Sequence, residues 1–162
     1  MTEMPAFGSR EPGVEYMERR AAYAVIIDGE RRVAMVLDRQ RYFLPGGGAW
    51  DGETPEQTVA REVEEELARG VCLTRRLGDA LQFYYSIADE RHYRMHATFF
   101  AGQLTDDPRP DLKPEHELFW LPLDEAAQRC FHQCHVWAIN RGQRSEVSER
   151  QKRKQKQKQK QK

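Results

Sequence analysis

Residues 47 to 69 read GGAWDGETPEQTVAREVEEELAR, and the spacing of apolar and charged residues in this stretch predicts both a helix and a chemical site on it. Thr54, Pro55 and Gln57 form a helix start, with threonine as N-cap, proline at the first helical position and glutamine completing a capping box. Val59, Val63 and Leu67, with Ala60, make an apolar stripe at helical spacing, and Gly70 supplies a stop. The pattern therefore predicts a helix over residues 55–69. Glu62, Glu65 and Glu66 fall at i, i+3 and i+4, which gathers three carboxylates on one side of that helix, off the apolar stripe. Three like charges this close repel unless a cation joins them, and Mg2+ or Mn2+ prefers carboxylate, carbonyl and water oxygens. A glutamate-rich helix with no such neighbours is more often a solvated acidic face.

The flanks add to the pattern. Upstream lies Tyr42-Phe43-Leu44-Pro45-Gly46-Gly47-Gly48, whose glycines let backbone approach a ligand or ion closely. Farther upstream, Tyr23, Val25 and Ile27, then Val33, Met35 and Leu37, flank an Asp28-Gly29 turn signal and predict a hairpin. Downstream, Ala80 to Ile87, Tyr93 to Leu104 and Phe119 to Leu123 are rich in aromatic and β-forming residues and predict strands. Ala126, Cys130, Cys134 and Trp137 recur at helical spacing and predict one helix from Leu123 or Asp124 to about Asn140. Strands alternating with two helices in this order predict an α/β fold, a mixed sheet between helical layers. Residues 1–20 lack periodicity and read as an irregular leader, with one irregular strand near Val14 to Met17, 21–142 as the folded domain, and 143–162 as a Gln/Lys-rich, disordered tail.

The chain has 162 residues, the length of one ordinary domain, and a net charge of zero that hides an asymmetry. Two Arg and six Lys lie in residues 150–162, which hold no acid, so that segment is near +8 and the rest near −8. An acidic body argues against a general nucleic-acid groove, leaving the basic tail as the only place for a weak contact of that kind. Three cysteines, Cys72, Cys130 and Cys134, are too few for a disulfide framework. The close set Cys130, His132, Cys134 and His135 reads as core thiols rather than a zinc site, because His132 is out of phase with the two cysteines. The longest apolar stretch, Ala21 to Ile27, is far too short to span a membrane, and the expected compartment is the cytoplasm. Outside the tail the only lysine is Lys113 and no Gly-Lys pair occurs, so phosphate chemistry must rest on arginine, backbone amides or metal.

Read outward, the segment contains Gly47, five residues, Glu53, seven residues, Arg61-Glu62-Val63, one residue, then Glu65-Glu66. This resembles the Nudix box, G-x5-E-x7-R-E-U-x-E-E-x-G-U, where U is a bulky aliphatic residue. The family's final glycine and aliphatic are replaced by Ala68 and Arg69, and Gly70-Val71 follows, which predicts a helix longer by about half a turn. The resemblance covers roughly residues 20–140, including Leu44 to Gly48 and Pro114 to Glu125. It implies a Nudix α/β/α sandwich and hydrolysis of a nucleoside diphosphate linked to another moiety.

By the same resemblance, Glu62, Glu65 and Glu66 would be ligands of Mg2+ or Mn2+, with the Gly46 carbonyl as a further ligand. Arg61 and Glu53 would orient those carboxylates. The base that takes the proton of the attacking water would be a box glutamate, Glu65 or Glu66, or a loop acid, Glu115 ahead of Glu117. Arg41, Tyr42, Phe43, Tyr84 and Tyr85 are candidates for holding a small nucleotide. A tyrosine near the position of Tyr84 and Tyr85 is found in some diadenosine polyphosphate hydrolases, which points to dinucleoside polyphosphates. Two other readings compete. Isopentenyl diphosphate isomerases share the fold but need a cysteine before the box, and none precedes Cys72. A catalytically silent Nudix-like binding module would typically carry a broken box, whereas every carboxylate of this one is present.

Overall fold

The computed structural model describes residues 3–107 and 109–161. These form strands β1 (Ala6–Phe7), β2 (Tyr16–Ile26), β3 (Arg32–Asp38), β4 (Arg41–Phe43) and β5 (Gly46–Gly48), and then helix α1 (Pro55–Leu67). Strands β6 (Val71–Ser86), β7 (Arg91–Leu104) and β8 (Leu118–Pro122) follow, then helices α2 (Leu123–Arg129) and α3 (Gln133–Lys160). A five-stranded sheet has the order β1-β6-β7-β2-β5, and a three-stranded sheet the order β4-β3-β8. The larger sheet is mixed, because β2 runs parallel to β7 and antiparallel to β5.

The second half of β2 shows why this strand is central. Every residue from Ala21 to Ile26 is buried, so both faces of the sheet are covered there. Ala21, Tyr23 and Val25 join a core with Ala126, Cys134, Ala138 and Ile139, whereas Ala22, Ala24 and Ile26 join a second core with Val59, Val63 and Leu67 of α1. Helix α1 therefore covers one face and α2 with α3 the other, which is an α/β/α sandwich. The apolar stripe of α1 is the one its sequence spacing predicts, and burying each of its valines contributes about 2 kcal/mol.

Four local expectations are corrected. The predicted hairpin is a turn without a ladder: Ile27 and Val33 make one antiparallel bridge, after which β2 and β3 enter different sheets. Asp28 holds the turn by accepting from the backbone N–H of Glu30 and Arg32 at 3.0 and 2.8 Å. The strands part because β2 takes β7 and β5 as its two neighbours. The helix predicted from Leu123 to Asn140 is two helices, because Cys130 turns extended, bridges to Tyr42, and Phe131 N–H donates to the Tyr42 carbonyl at 3.0 Å. Nor is α1 lengthened past its expected end. It stops at Leu67, with Ala68 as a left-handed C-cap (φ 54°, ψ 38°) whose N–H donates to the Glu64 carbonyl.

The fourth concerns the chain ends. Strand β1 and the start of β2 draw part of the leader into the large sheet. At the other end α3 continues through the Gln/Lys repeat to Lys160, fully exposed beyond Ser148, where composition alone predicts disorder. Gln and Lys are good helix formers, and neither Gly nor Pro interrupts this stretch. Among the described residues, no helix is long and apolar enough to cross a membrane.

Candidate active site

Short strand β5 runs antiparallel to β2 and carries Gly46, Gly47 and Gly48 beneath the carboxylate side of α1. A β-carbon at Gly47 would lie 2.7–2.9 Å from the carboxylate atoms of Glu62, so a side chain there would displace that carboxylate. The glycine run thus makes room for glutamate heads against bare backbone.

Arg61 organises one side of this cluster. Its Nε and Nη2 hold the two oxygens of Glu53 at 2.8 and 2.9 Å, Nη1 reaches Glu62 at 3.1 Å and Glu65 at 3.2 Å, and Nη2 also donates to the Gly48 carbonyl at 2.9 Å. The guanidinium carbon lies 4.0 Å from the centre of the Trp50 ring, a cation–π contact. Hydrogen bonding to Arg61 holds the Glu53 carboxyl down to about 2, and Glu53 in return raises the Arg61 pKa. Glu53 also accepts from the Trp50 N–H at 2.7 Å, so the loop before α1 is tied to the helix.

Glu66 lies on the other side, 6% exposed, with Oε1 accepting from the Gly46 N–H at 2.8 Å. Burial pushes its carboxyl up to about 8, and the charges of Glu62, Glu115 and Asp38 push the same way against the Gly46 bond. Burial likewise raises Glu62, opposed by Arg61. The loop carrying Glu115 is docked on the last turn of α1: the Glu115 N–H donates to the Glu65 carbonyl at 3.1 Å and the His116 N–H to the Glu66 carbonyl at 3.0 Å. Helix-end carbonyls need partners, and here they hold a candidate base beside the carboxylates. The Glu115 and Glu117 side chains are exposed.

The donors gathered here are oxygens, and the burial and smaller mutual repulsion that raise Glu66 and Glu62 are what a hard divalent cation offsets, so the residues fit such an ion. Among the described residues, no three His, Cys, Asp or Glu side chains already converge as ligands. Two of the three box glutamates are turned toward Arg61 instead. The one contact seen from Gly46 to the cluster is through its N–H.

A cleft of about 490 Å³ opens beside Glu66. Arg41, Phe43, Tyr84 and Tyr85 line it together with Gly46 and Gly47. Tyr42 does not: its ring packs edge-on against Phe119 at 5.7 Å and under the Arg129 guanidinium at 5.0 Å. Adjacent strand residues point to opposite faces, and in β4 it is Phe43 that takes the cleft side. Tyr84 is stacked on Tyr93 at 5.4 Å, and Tyr85 is 45% exposed at the rim.

Sequence reasoning missed Arg19, Asp38, His116 and His132, all in the cleft wall. Arg19 had a readable signal, being a charge on the strand parity of Ala21, Tyr23 and Val25, which face the core. His132 had none, because it reaches the cleft only through the break between α2 and α3. His135, next to it, is fully buried, and its Nδ1 accepts from the Leu44 N–H at 3.2 Å.

The family model of the NUDIX domain matches residues 17–137. Solved structures share the fold at low identity. A NUDIX hydrolase from Nitrosomonas europaea is similar at TM-score 0.63 and 19% identity, over 80% of this chain and 90% of that one. A MutT protein from Methanosarcina mazei is similar at TM-score 0.61 and 21% identity, over 83% and 99%. A C. elegans Ap4A hydrolase is similar at TM-score 0.62 and 16% identity, over 80% and 98%. No curated protein matches the chain. The matched stretch runs from β2 to the first turns of α3 and takes in the whole carboxylate helix, and on that ground the chain belongs to the Nudix family.

Proposed function

We propose that this Nudix pyrophosphohydrolase uses Mg2+ or Mn2+ to cleave a P–O–P bond in a nucleoside diphosphate derivative or a nucleoside triphosphate. The observation that carries the reading is the meeting of Glu62 and Glu66 of α1 with a glycine strand, Glu65 being joined to Glu62 through Arg61, at the edge of a cleft lined by arginine and aromatic side chains. Glu62, Glu65 and Glu66 would hold the cation, with the Gly46 carbonyl as a further ligand. A bound divalent cation supplies charge neutralisation of the diphosphate and a more acidic attacking water.

The chain's own groups do the rest. Arg61 fixes Glu62 and Glu65 at 3.1 and 3.2 Å and is itself fixed by Glu53, so the glutamate heads do not swing freely. Glu115, held by its backbone against α1, is the loop acid that takes the water's proton, with Glu65 and Glu66 as the helix-borne alternatives. Arg41 meets the anionic phosphates, and Phe43, Tyr84 and Tyr85 offer apolar faces for a base. Dinucleoside polyphosphates are favoured by the tyrosine position, and Tyr84 does line the cleft. The compartment is the cytoplasm.

The test is a panel of dinucleoside polyphosphates, ADP-ribose, nucleotide sugars and nucleoside triphosphates at equal concentration with each metal, products resolved by chromatography. A preference for ADP-ribose or a nucleotide sugar removes the tyrosine argument alone. No cleavage of any member with either metal favours a binding module, a reading that the engagement of Glu62 and Glu65 by Arg61 keeps in play.

A further inference from the structure

The cleft, which Asp38, Glu66 and Asp89 also line, holds arginines that none of these acids pairs with. Arg19, Arg39 and Arg41 all line it, and among the described residues none forms an ion pair with a carboxylate. Arg19 is the most enclosed of them. It lies at the cleft floor, near the carboxylate end, where a β-carbon at Gly48 would come 3.1 Å from its Nη2. Its one side-chain hydrogen bond is a donation from Nη1 to the Tyr84 hydroxyl at 3.3 Å. This half-buried guanidinium has a neutral hydrogen-bond partner and, among the described residues, no carboxylate in direct contact, and its planar fork matches a phosphate.

Tyr84 links Arg19 to a second unpartnered group. The His132 ring packs edge-on against the Tyr84 ring at 4.7 Å and is 5% exposed in the cleft wall, yet neither ring nitrogen bonds to a described residue. Burial, with the positive charges of Arg19 and Arg41 close by, holds the imidazole down to about 4, so it is neutral at pH 7. Arg41 closes the group from the other side, its guanidinium carbon 4.1 Å from the centre of the Phe131 ring. Stacking fixes the plane of that guanidinium and leaves its N–H edge free for a ligand.

We propose that Arg19, Arg41 and His132, set around Tyr84, form a phosphate-binding subsite beside the carboxylate cluster that operates without metal. It rests on the hydrolase reading in that its ligand is a phosphate group of the substrate, adjoining the bond that is cleaved. The ligand class is a di- or polyphosphate: the two arginines supply charge-assisted hydrogen bonds to phosphate oxygens, and the neutral imidazole donates one N–H in the tautomer the ligand selects. Tyr84 is a positioning residue, holding Arg19 by its hydroxyl and His132 by its ring.

Titration calorimetry of the full chain with inorganic pyrophosphate, in EDTA, tests the subsite separately from catalysis. The wild type should bind, Arg19→Gln and Arg41→Gln should each bind about tenfold more weakly, and Tyr84→Phe should lose a smaller factor. Arg75→Gln, an exposed arginine on β6, reports the effect of net charge alone and should bind as the wild type does. Circular dichroism checks that Arg19→Gln is folded, and Arg41→Gln tests the same subsite from the half-buried rim. Equal binding by wild type and both arginine variants overturns the subsite, as does failure of the wild type to bind. Metal-free binding that depends on Arg19, in a protein that hydrolyses nothing, would support the subsite and sink the hydrolase reading.

Discussion

Helix α1 and the last part of α3 are both dense in charge, yet almost every charge on α1 has a partner, whereas among the described residues those of α3 past Arg150 form no ion pair. In the 13 residues of α1, Thr54 and Gln57 cap the start, Val59, Val63 and Leu67 are buried, and Arg61 holds three glutamates. The 28-residue α3 divides in two. Its first turns bury Cys134, His135, Ala138, Ile139 and Gly142 at helical spacing, and past Gly142 no residue is buried. There, alternating Gln and Lys has a period of two, which matches no helix face, and puts lysines at i, i+4 where they repel. Charge density alone therefore says little. What matters is whether an apolar stripe at the right period fixes the charged side against something else.

The sharpest way to break this contrast is to neutralise α1. Glu62→Gln, Glu65→Gln or Glu66→Gln should each cut turnover about a hundredfold, a loss of about 3 kcal/mol of transition-state stabilisation, while circular dichroism stays unchanged. Near-normal turnover of Glu66→Gln in Mg2+ would remove the carboxylate helix from the mechanism.

A comparable cost lies at the docked start of α3. His132 is held down to about 4, and His135 well below its usual value, chiefly by burial, with Arg19 and Arg41 facing His132 and His132 facing His135. Protonation would also end the acceptance of the Leu44 N–H by His135. Both rings bind fewer protons folded than unfolded, so their contribution to stability should be flat above pH 6.5 and fall as pH drops from there toward 4, opposite in sign to Glu66, whose carboxyl, raised to about 8, loses stability as pH rises. His132 should contribute up to about 3 kcal/mol of that fall. Urea unfolding of the wild type and of His132→Phe at pH 7, 5.5 and 4.5 reads it as the difference between the two, which should shift against the wild type as pH falls.

Smaller effects come from the ends of α1. Thr54→Ala removes an N-cap and should lower stability by about 1 kcal/mol. Ala68→Gly should raise it by a similar amount, because Ala68 sits in the left-handed region, where a β-carbon is strained. Equal melting temperatures for the wild type and Ala68→Gly would show that the cap relaxes in solution. Removing residues 150–162 should leave both melting temperature and turnover unchanged, since the described residues of that segment are all exposed. A large loss on truncation would mean that the basic end of α3 does have a partner.

Helix α1, its cap, its buried stripe and the glycine run were legible from residues 44 to 70 alone, because each rests on local spacing. Most of the strands and the family were legible too, whereas spacing left open whether Phe43, Tyr84 and Tyr85 face a ligand or pack in a wall. Other features depend on partners distant in the chain. Which tyrosine leaves the cleft depends on the facing of β4 against β8, and the parting of β2 from β3 depends on β7 and β5 taking both edges of β2. The end of α1 at Ala68, where the sequence predicts half a turn more, depends on the Glu115 loop capturing the Glu65 and Glu66 carbonyls. The convergence of Arg19 with His132, 113 positions away, follows from a bridge between Tyr42 and Cys130 that interrupts a regular helical pattern. Short-range spacing sets which elements form and which face is apolar, whereas the completed sheet decides which edges pair and which side chains meet in the cleft, because those choices turn on long-range contacts that no local pattern encodes.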